Sequence, residues 1–254
     1  MGRILFGVGL AIAATATLDL MGYSAMSALP LIPLFILFAF LDRIPRQELG
    51  LTLGTVKGYL LAVAHPVFVI GLLAWLAYAA GAVDLSALDS AKAVKDVAIM
   101  ALVTFVMAII TEEGFFRGWL WAALGRQGKS PLTVLIASTI AFVLWHVSFV
   151  FISNEFHFEP AHIPLFFVNA TLLGLIWGVL RLGSGSILVS SASHGLWNGL
   201  TYVLFGVGSD AGMLGIKDLG LFGPEVGLYG IALSAAFLGL LWWVYRDRLA
   251  SQDS

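Results

Sequence analysis

Apolar residues fill this chain in long blocks, separated by short polar or glycine-rich stretches. A helix that crosses a bilayer needs about 20 consecutive, mostly apolar residues, and the sequence contains eight such blocks. The predicted spans are residues 4–22, 24–41, 59–83, 97–122, 131–152, 164–182, 187–206 and 227–245. The pattern therefore predicts an all-α fold, a polytopic transmembrane helical bundle of about eight spans, within one integral membrane domain covering residues 1–254.

Composition supports the same assignment. Of the 254 residues, 60% are hydrophobic and 11% are charged, whereas about 25% charged residues are typical of soluble domains. The formal net charge is −2 and the pI is near 6.2, so the basic surface that nucleic acid requires is not expected. The chain has no cysteine, which excludes disulfides, thiolate metal sites and cysteine nucleophiles.

The basic residues between the spans indicate how the chain is oriented. If the N-terminus faces the cytoplasm, nine lysines and arginines lie on the cytoplasmic side and three on the other. The positive-inside rule then predicts a multi-pass protein with both termini in the cytoplasm. The first span also resembles a signal peptide, with Arg3, an apolar core and a small-residue Ala-Thr-Ala stretch. Its cleavage would leave the remaining spans oriented as before.

The fourth span carries charges where lipid makes them costly. Residues 111–118 read TEEGFFRG and follow an apolar run, and a charged residue at the centre of a span costs about 2.5 to 3.5 kcal/mol on insertion scales. Glu113 and Arg117 are four residues apart and share one helical face, whereas Glu112 points about 100° around the helix from Glu113. One interpretation is an ion pair within the helix and nothing more. It leaves Glu112 unexplained.

Two further spans contain polar side chains. His146 lies in the fifth span, one helical turn after Phe142, and a lone histidine among apolar residues is more often a packed side chain than a catalyst. His194 and Asn198 lie in the seventh span at i, i+4 spacing, so they share a face. Small residues around them favour close packing with another helix.

A shared site explains the three groupings more economically than three separate roles. If spans four, five and seven pack together, a carboxylate, two imidazoles and an amide meet in a polar catalytic cavity. A carboxylate near a histidine can take a proton from water, and a histidine with an amide can stabilise an oxyanion. Two rival functions remain, a non-catalytic membrane scaffold that binds partners and a proton-relaying transporter. Against transport, the sequence has no internal repeat or paired broken helices.

Three motifs in order make the sequence similar to a known family. They are EExxxR at Glu112, Glu113 and Arg117, FxxxH at Phe142 and His146, and HxxxN at His194 and Asn198. This order on successive spans resembles the CAAX-protease and bacteriocin-processing (CPBP, abortive-infection) family. The resemblance covers about residues 97–205, the expected catalytic core.

The resemblance implies an intramembrane endopeptidase that hydrolyses a peptide bond of a membrane-associated protein or peptide, with prenylated CAAX substrates as the eukaryotic example. By motif position, Glu112 and His146 would activate water, and His194 with Asn198 would form the oxyanion hole. Glu113, Arg117 and Phe142 would support the site or contact the substrate.

A zinc-dependent version of the same protease is the alternative mechanism. Glu112, His146 and His194 could form a His2Glu zinc set. The sequence lacks HExxH, in which one helix supplies two ligands and the base. If Glu112 were a ligand, Glu113 would be the only nearby base, and Glu113 is the carboxylate best placed to be neutralised by Arg117. We therefore favour a site without a metal cofactor.

Overall fold

The computed structural model describes residues 1–153, 159–207 and 210–250. Helices account for nearly all of its regular structure, and the described strands are one antiparallel pair of two residues each. The α-helices are α1 Gly2–Leu20, α2 Leu31–Leu41, α3 Val56–Ala79, α4 Ser90–Ile110, α5 Trp121–Gly125, α6 Pro131–Trp145, α7 Val147–Phe151, α8 Ile163–Ser184, α9 Ile187–Leu200, α10 Leu219–Phe222 and α11 Leu228–Ala250. Short 3-10 helices cover Ser24–Met26 and Leu85–Ala87, π-helices cover Glu113–Leu120 and Thr201–Phe205, and the strands are β1 Gly206–Val207 and β2 Asp210–Ala211.

The helices confirm an all-α, multi-pass membrane fold. Seven helical segments of the described chain are long and apolar enough to cross a bilayer. The predicted seventh span is α9 together with the π-helix Thr201–Phe205, and its polar, small-residue sequence explains why it falls outside that set. Polar residues are tolerated there because α9 packs against α3, α4 and α8 rather than against lipid.

Two glycines let α4 approach the backbone of α9. A Cβ atom built at Gly195 would lie 2.6 Å from the Ala101 carbonyl oxygen, and one at Gly199 would lie 2.9 Å from the Ala101 nitrogen. Thr104 Oγ1 donates a 3.0 Å hydrogen bond to the Gly195 carbonyl oxygen across the same contact. Small residues permit such close packing in membranes, where van der Waals contact replaces the hydrophobic effect. This contact sets the middle of α4 beside the C-terminal half of α9.

A tight turn reverses the chain between α8 and α9. Gly185 ends α8 with φ +74°, a left-handed conformation that glycine adopts without steric cost. Ser186 then caps α9 by accepting a 3.1 Å hydrogen bond from the Leu188 N–H, and its hydroxyl bonds the Thr52 carbonyl. The turn therefore fixes where α9 starts and ties it to the segment before α3.

Arg181 of α8 fastens two neighbouring segments to the same place. Its Nε donates to the Arg117 carbonyl oxygen at 3.1 Å and its Nη2 donates to the Glu48 carbonyl oxygen at 2.8 Å. Gly50 leaves room for the guanidinium, because a Cβ there would lie 2.5 Å from Nε. These bonds hold the π-helix after α4 in a fixed position against α8.

Candidate active site

The two adjacent glutamates lie where α4 changes into a π-helix. α4 ends at Ile110, and Glu113–Leu120 form a π-helix in which every residue is buried. Gly114 is required by the packing, because a Cβ there would lie 2.5 Å from the Ile109 carbonyl oxygen. π-helical segments are rare and occur frequently at functional sites. Here the wider turn changes the register of the helix at the glutamates.

Glu113 and Arg117 form the expected ion pair. Glu113 Oε1 lies 3.3 Å from Arg117 Nη1, and both side chains are fully buried. Arg117 Nη2 donates a 3.1 Å hydrogen bond to the Gly174 carbonyl oxygen of α8, and the guanidinium carbon lies 4.3 Å from the centre of the Phe142 ring. The arginine therefore links the π-helix, α6 and α8 and neutralises one of the two glutamates.

His194 of α9 lies between the two glutamates. Its Nδ1 donates to Glu113 Oε1 at 3.3 Å, and its Nε2 lies 3.9 Å from Glu112 Oε2. The ring stacks on Trp177 with centroids 3.8 Å apart and planes 9° apart. The glutamates thus differ in role: Glu113 is fixed by Arg117 and His194, whereas Glu112 is partly exposed, with 18% of its side chain accessible.

His146 interrupts the fifth predicted span. α6 ends at Trp145 and α7 begins at Val147, so the histidine occupies the break between them. Its Nδ1 lies 2.9 Å from the Phe142 carbonyl oxygen. A carbonyl oxygen only accepts, so Nδ1 carries the proton and Nε2 of the neutral ring is left as an acceptor. The Phe142 ring packs edge-on against the imidazole at a centroid distance of 4.5 Å.

One cavity of about 80 Å³ brings these side chains together. Such a volume has room for several water molecules. The four residues predicted to be catalytic all line it, together with Phe142. The full lining is Glu112, Phe142, His146, Phe166, Asn169, Ala170, Leu173, Trp177, His194, Asn198, Tyr202 and Glu225. Spans four, five and seven contribute as predicted, and α8 and the turn before α11 contribute as well.

Three polar lining residues were not singled out from the sequence, namely Asn169, Tyr202 and Glu225. Asn169 lies on α8 and is buried, with no hydrogen-bond partner for Oδ1 within the described structure. Tyr202 follows Asn198 by four residues, so the i, i+4 spacing could have identified it. Burial raises the pKa of Glu225 to about 7. No spacing rule connects Glu225 to the motifs, because it lies in a glycine-rich connection.

The side chains of the zinc alternative do not converge as a ligand set. Over the described ranges, no group of three histidine, aspartate or glutamate side chains is placed to hold a metal ion. Nδ1 of His194 faces Glu113, and its Nε2 lies 3.9 Å from Glu112 Oε2. The arrangement of these side chains therefore does not fit a His2Glu zinc site.

Comparison with known families adds an independent finding. Residues 94–200 match the family model described as type II CAAX prenyl endopeptidase, Rce1-like. This match confirms the resemblance to the CPBP family, and it contains all three motifs. A search of curated proteins found no match to the chain.

Proposed function

Since residues 94–200 match the model of the Rce1-like type II CAAX prenyl endopeptidases, we propose that this protein is an intramembrane endopeptidase that cuts a membrane-associated substrate by glutamate-activated water. The observation that carries the proposal is the cavity of about 80 Å³ lined by Glu112, His146, His194 and Asn198. The cavity holds a free carboxylate, two imidazoles and an amide, the groups that peptide hydrolysis without a covalent intermediate requires.

Glu112 is the proposed base. It is the glutamate that Arg117 does not neutralise, and its side chain opens onto the cavity. His146 assists, because the bond from its Nδ1 to the Phe142 carbonyl leaves Nε2 as a hydrogen-bond acceptor for the same water. A water held between these two acceptors loses its proton to Glu112 as its oxygen attacks the scissile carbonyl carbon.

His194 and Asn198 are the proposed oxyanion donors. They follow each other by one turn of α9, and both line the cavity. Nδ1 of His194 already donates to Glu113, so a donor at Nε2 requires the imidazolium form. The two carboxylates, Glu113 and Glu112, then balance the two positive charges of Arg117 and the imidazolium. Asn198 offers an amide N–H without any such requirement.

Glu113, Arg117 and Phe142 are proposed to hold these groups in place. Glu113 orients His194, and Arg117 neutralises Glu113 while bonding α8. Phe142 lies between the Arg117 guanidinium and the His146 ring and lines the cavity. Preorganised donors and acceptors of this kind lower the barrier because they need no reorganisation during the reaction.

The match of residues 94–200 to the family model supports a proposal for the substrate class. We propose that the substrate is a membrane-associated protein or peptide, with prenylated CAAX sequences as the first class to test. We further propose that both termini face the cytoplasm, since nine basic residues against three favour that side. Because the chain lacks cysteine, one cysteine introduced at Lys129 and labelled with an impermeant maleimide tests the orientation. Labelling in intact cells would contradict it.

Cleavage of a fluorescence-quenched farnesylated peptide ending in a CAAX sequence tests the function. The purified wild type should release the last three residues, identified by mass spectrometry. Glu112→Gln should lose turnover, whereas Glu159→Gln, the same change at an exposed glutamate outside the cavity, should retain it. No cleavage by the wild type would contradict the proposal for this substrate class.

Metal dependence is tested on the same sample. We propose that exhaustive chelation followed by desalting leaves the rate unchanged, because the proposed mechanism uses no metal ion as a Lewis acid. Stoichiometric zinc in the active sample, with activity lost on removal and restored on return, would move Glu112, His146 and His194 into a ligand shell.

A further inference from the structure

Glu225 lines the cavity from a turn that lies outside residues 94–200, the part of the chain that matches the family model. It lies between α10 and α11, in a turn closed by a 2.9 Å hydrogen bond from the Gly227 N–H to the Gly223 carbonyl oxygen. A Cβ at Gly227 would lie 2.4 Å from the Gly223 backbone, and one at Gly230 would lie 2.6 Å from the Gly223 carbonyl oxygen. Because the turn is packed backbone to backbone, it presents the glutamate side chain from a fixed position.

The surroundings of Glu225 are those of a group that carries a proton. Its titratable neighbours are Glu112, His146, His194 and Tyr202, which line the same cavity. His194 lowers the pKa of Glu225, but burial has the larger effect and raises it to about 7. No salt bridge joins Glu225 to a basic side chain in the part of the chain that the structure describes.

The proposed hydrolysis needs a group that donates a proton to the leaving amine while Glu112 holds the proton taken from water. Attack of water gives a proton to Glu112, and the amine nitrogen must gain a proton before the C–N bond can break. His146 is poorly suited, since its Nδ1–H is bonded to the Phe142 carbonyl and its neutral Nε2 has no proton to give. His194 and Asn198 are committed to the oxyanion.

We propose that Glu225 is the general acid that protonates the leaving amine. This inference rests on the proposed endopeptidase function. Water adds its oxygen to the carbonyl carbon and gives one proton to Glu112, the C–N bond breaks as the Glu225 proton passes to nitrogen, and the products are a carboxylic acid and an amine. Transfer of the proton from Glu112 to Glu225 through cavity water restores both groups.

Two substrates of the same sequence, one with an amide and one with an ester at the scissile bond, test whether Glu225 is the general acid. The farnesylated CAAX peptide is compared with a depsipeptide whose scissile NH is replaced by oxygen, because an alkoxide leaves without the prior protonation that an amine needs. Glu225→Gln should lower amide turnover by about 10² to 10⁴-fold, the usual contribution of general acid catalysis, and should retain most ester hydrolysis. Glu112→Gln should lose both, since both need activated water, and Glu159→Gln should lose neither.

The outcomes separate this inference from the proposed function. Retained ester hydrolysis also shows that Glu225→Gln is folded, so a stability defect cannot imitate the result. Equal loss on both substrates, or no loss on either, would overturn the role of Glu225 and leave the endopeptidase function standing. A wild type that hydrolyses neither substrate would overturn the proposed function and this inference with it.

Discussion

Two glutamate–arginine pairs in this protein differ in almost every respect except their chemistry. Glu113 and Arg117 are 3.3 Å apart with both side chains fully buried. Glu48 and Arg126 are 2.6 Å apart with 43% and 39% of their side chains exposed, and Arg126 makes a second bond to Glu48 through Nη2 at 3.1 Å. By distance alone the exposed pair is the stronger one.

Burial makes the loss of one partner more costly in the Glu113–Arg117 pair than in the Glu48–Arg126 pair. An exposed pair exchanges water contacts for protein contacts and gains little, whereas removing one partner of a buried pair leaves a charge that nothing solvates. The buried pair also orients His194 through Glu113, and neither residue of the exposed pair lines the cavity. The comparison therefore separates a pair that maintains the site from one that only joins two surface segments.

The largest expected effect is that of Arg117→Ala. The change leaves the buried Glu113 carboxylate without its positively charged partner. Breaking such a buried pair lowers the free energy of unfolding by roughly 3 to 5 kcal/mol. Thermal unfolding in detergent should show a large drop in stability, and peptide cleavage should be lost. Arg126→Ala is the matched control: it also removes hydrogen bonds to the Asp42 and Arg43 carbonyl oxygens, but at this exposed position it should lose much less stability and keep cleavage. If Arg117→Ala is as stable as wild type and only substrate affinity falls, Arg117 is a substrate contact rather than a structural partner.

Removing both charges of the buried pair separates the effect of charge from the effect of packing. Glu113→Gln/Arg117→Met leaves no unpaired charge, and buried pairs can be replaced by neutral groups at little cost. We expect this double variant to unfold at a higher temperature than Arg117→Ala, while turnover stays low because His194 has lost its carboxylate partner. A double variant as unstable as the single one would mean that packing, not charge, dominates at this position.

Asn198→Ala should affect catalysis without a comparable effect on stability. Asn198 lines the cavity and takes no part in the ion pair. Loss of an oxyanion donor typically costs about 10² to 10³-fold in turnover, and the thermal unfolding of the variant should remain close to wild type. His146→Ala should leave less activity still. Wild-type turnover in Asn198→Ala would remove this residue from the oxyanion hole.

The smallest effect is expected from Glu48→Gln. The hydrogen bond from Arg126 holds the pKa of Glu48 below its ordinary value, so the pair contributes above the unfolded-state pKa of about 4.3 and loses its contribution as pH falls through the lowered value. Wild type and variant should differ slightly at neutral pH and low salt and converge under acid. A large difference that persists in high salt would contradict this account of exposed pairs.

Much of the fold could be predicted because a helix that crosses lipid needs about 20 consecutive, mostly apolar residues. Apolar runs of membrane length gave the spans, and the i, i+4 spacing gave the Glu113–Arg117 contact. The interruptions were not predicted. The π-helix at Glu113–Leu120 and the break at His146 depend on hydrogen-bond register and on packing against α8, which hydropathy does not report.

The cavity lining could be predicted only where motifs lie on spans. Glu112, His146, His194 and Asn198 stood out as polar residues in apolar surroundings. Glu225 did not, since a glutamate in a glycine-rich connection is normally a solvated residue. Its position depends on the backbone packing of that turn, where Gly227 and Gly230 lie against Gly223, and neither hydropathy nor motif spacing reports such packing.

The adjacent glutamates provide the most direct test of the central claim, that Glu112 activates water while Glu113 holds the site together. Glu112→Gln and Glu113→Gln are measured side by side for thermal unfolding in detergent and for cleavage of the farnesylated CAAX peptide. We predict that Glu112→Gln unfolds close to the wild-type temperature with turnover lost, and that Glu113→Gln unfolds at a clearly lower temperature. Near-normal cleavage by a stable Glu112→Gln protein would contradict the account.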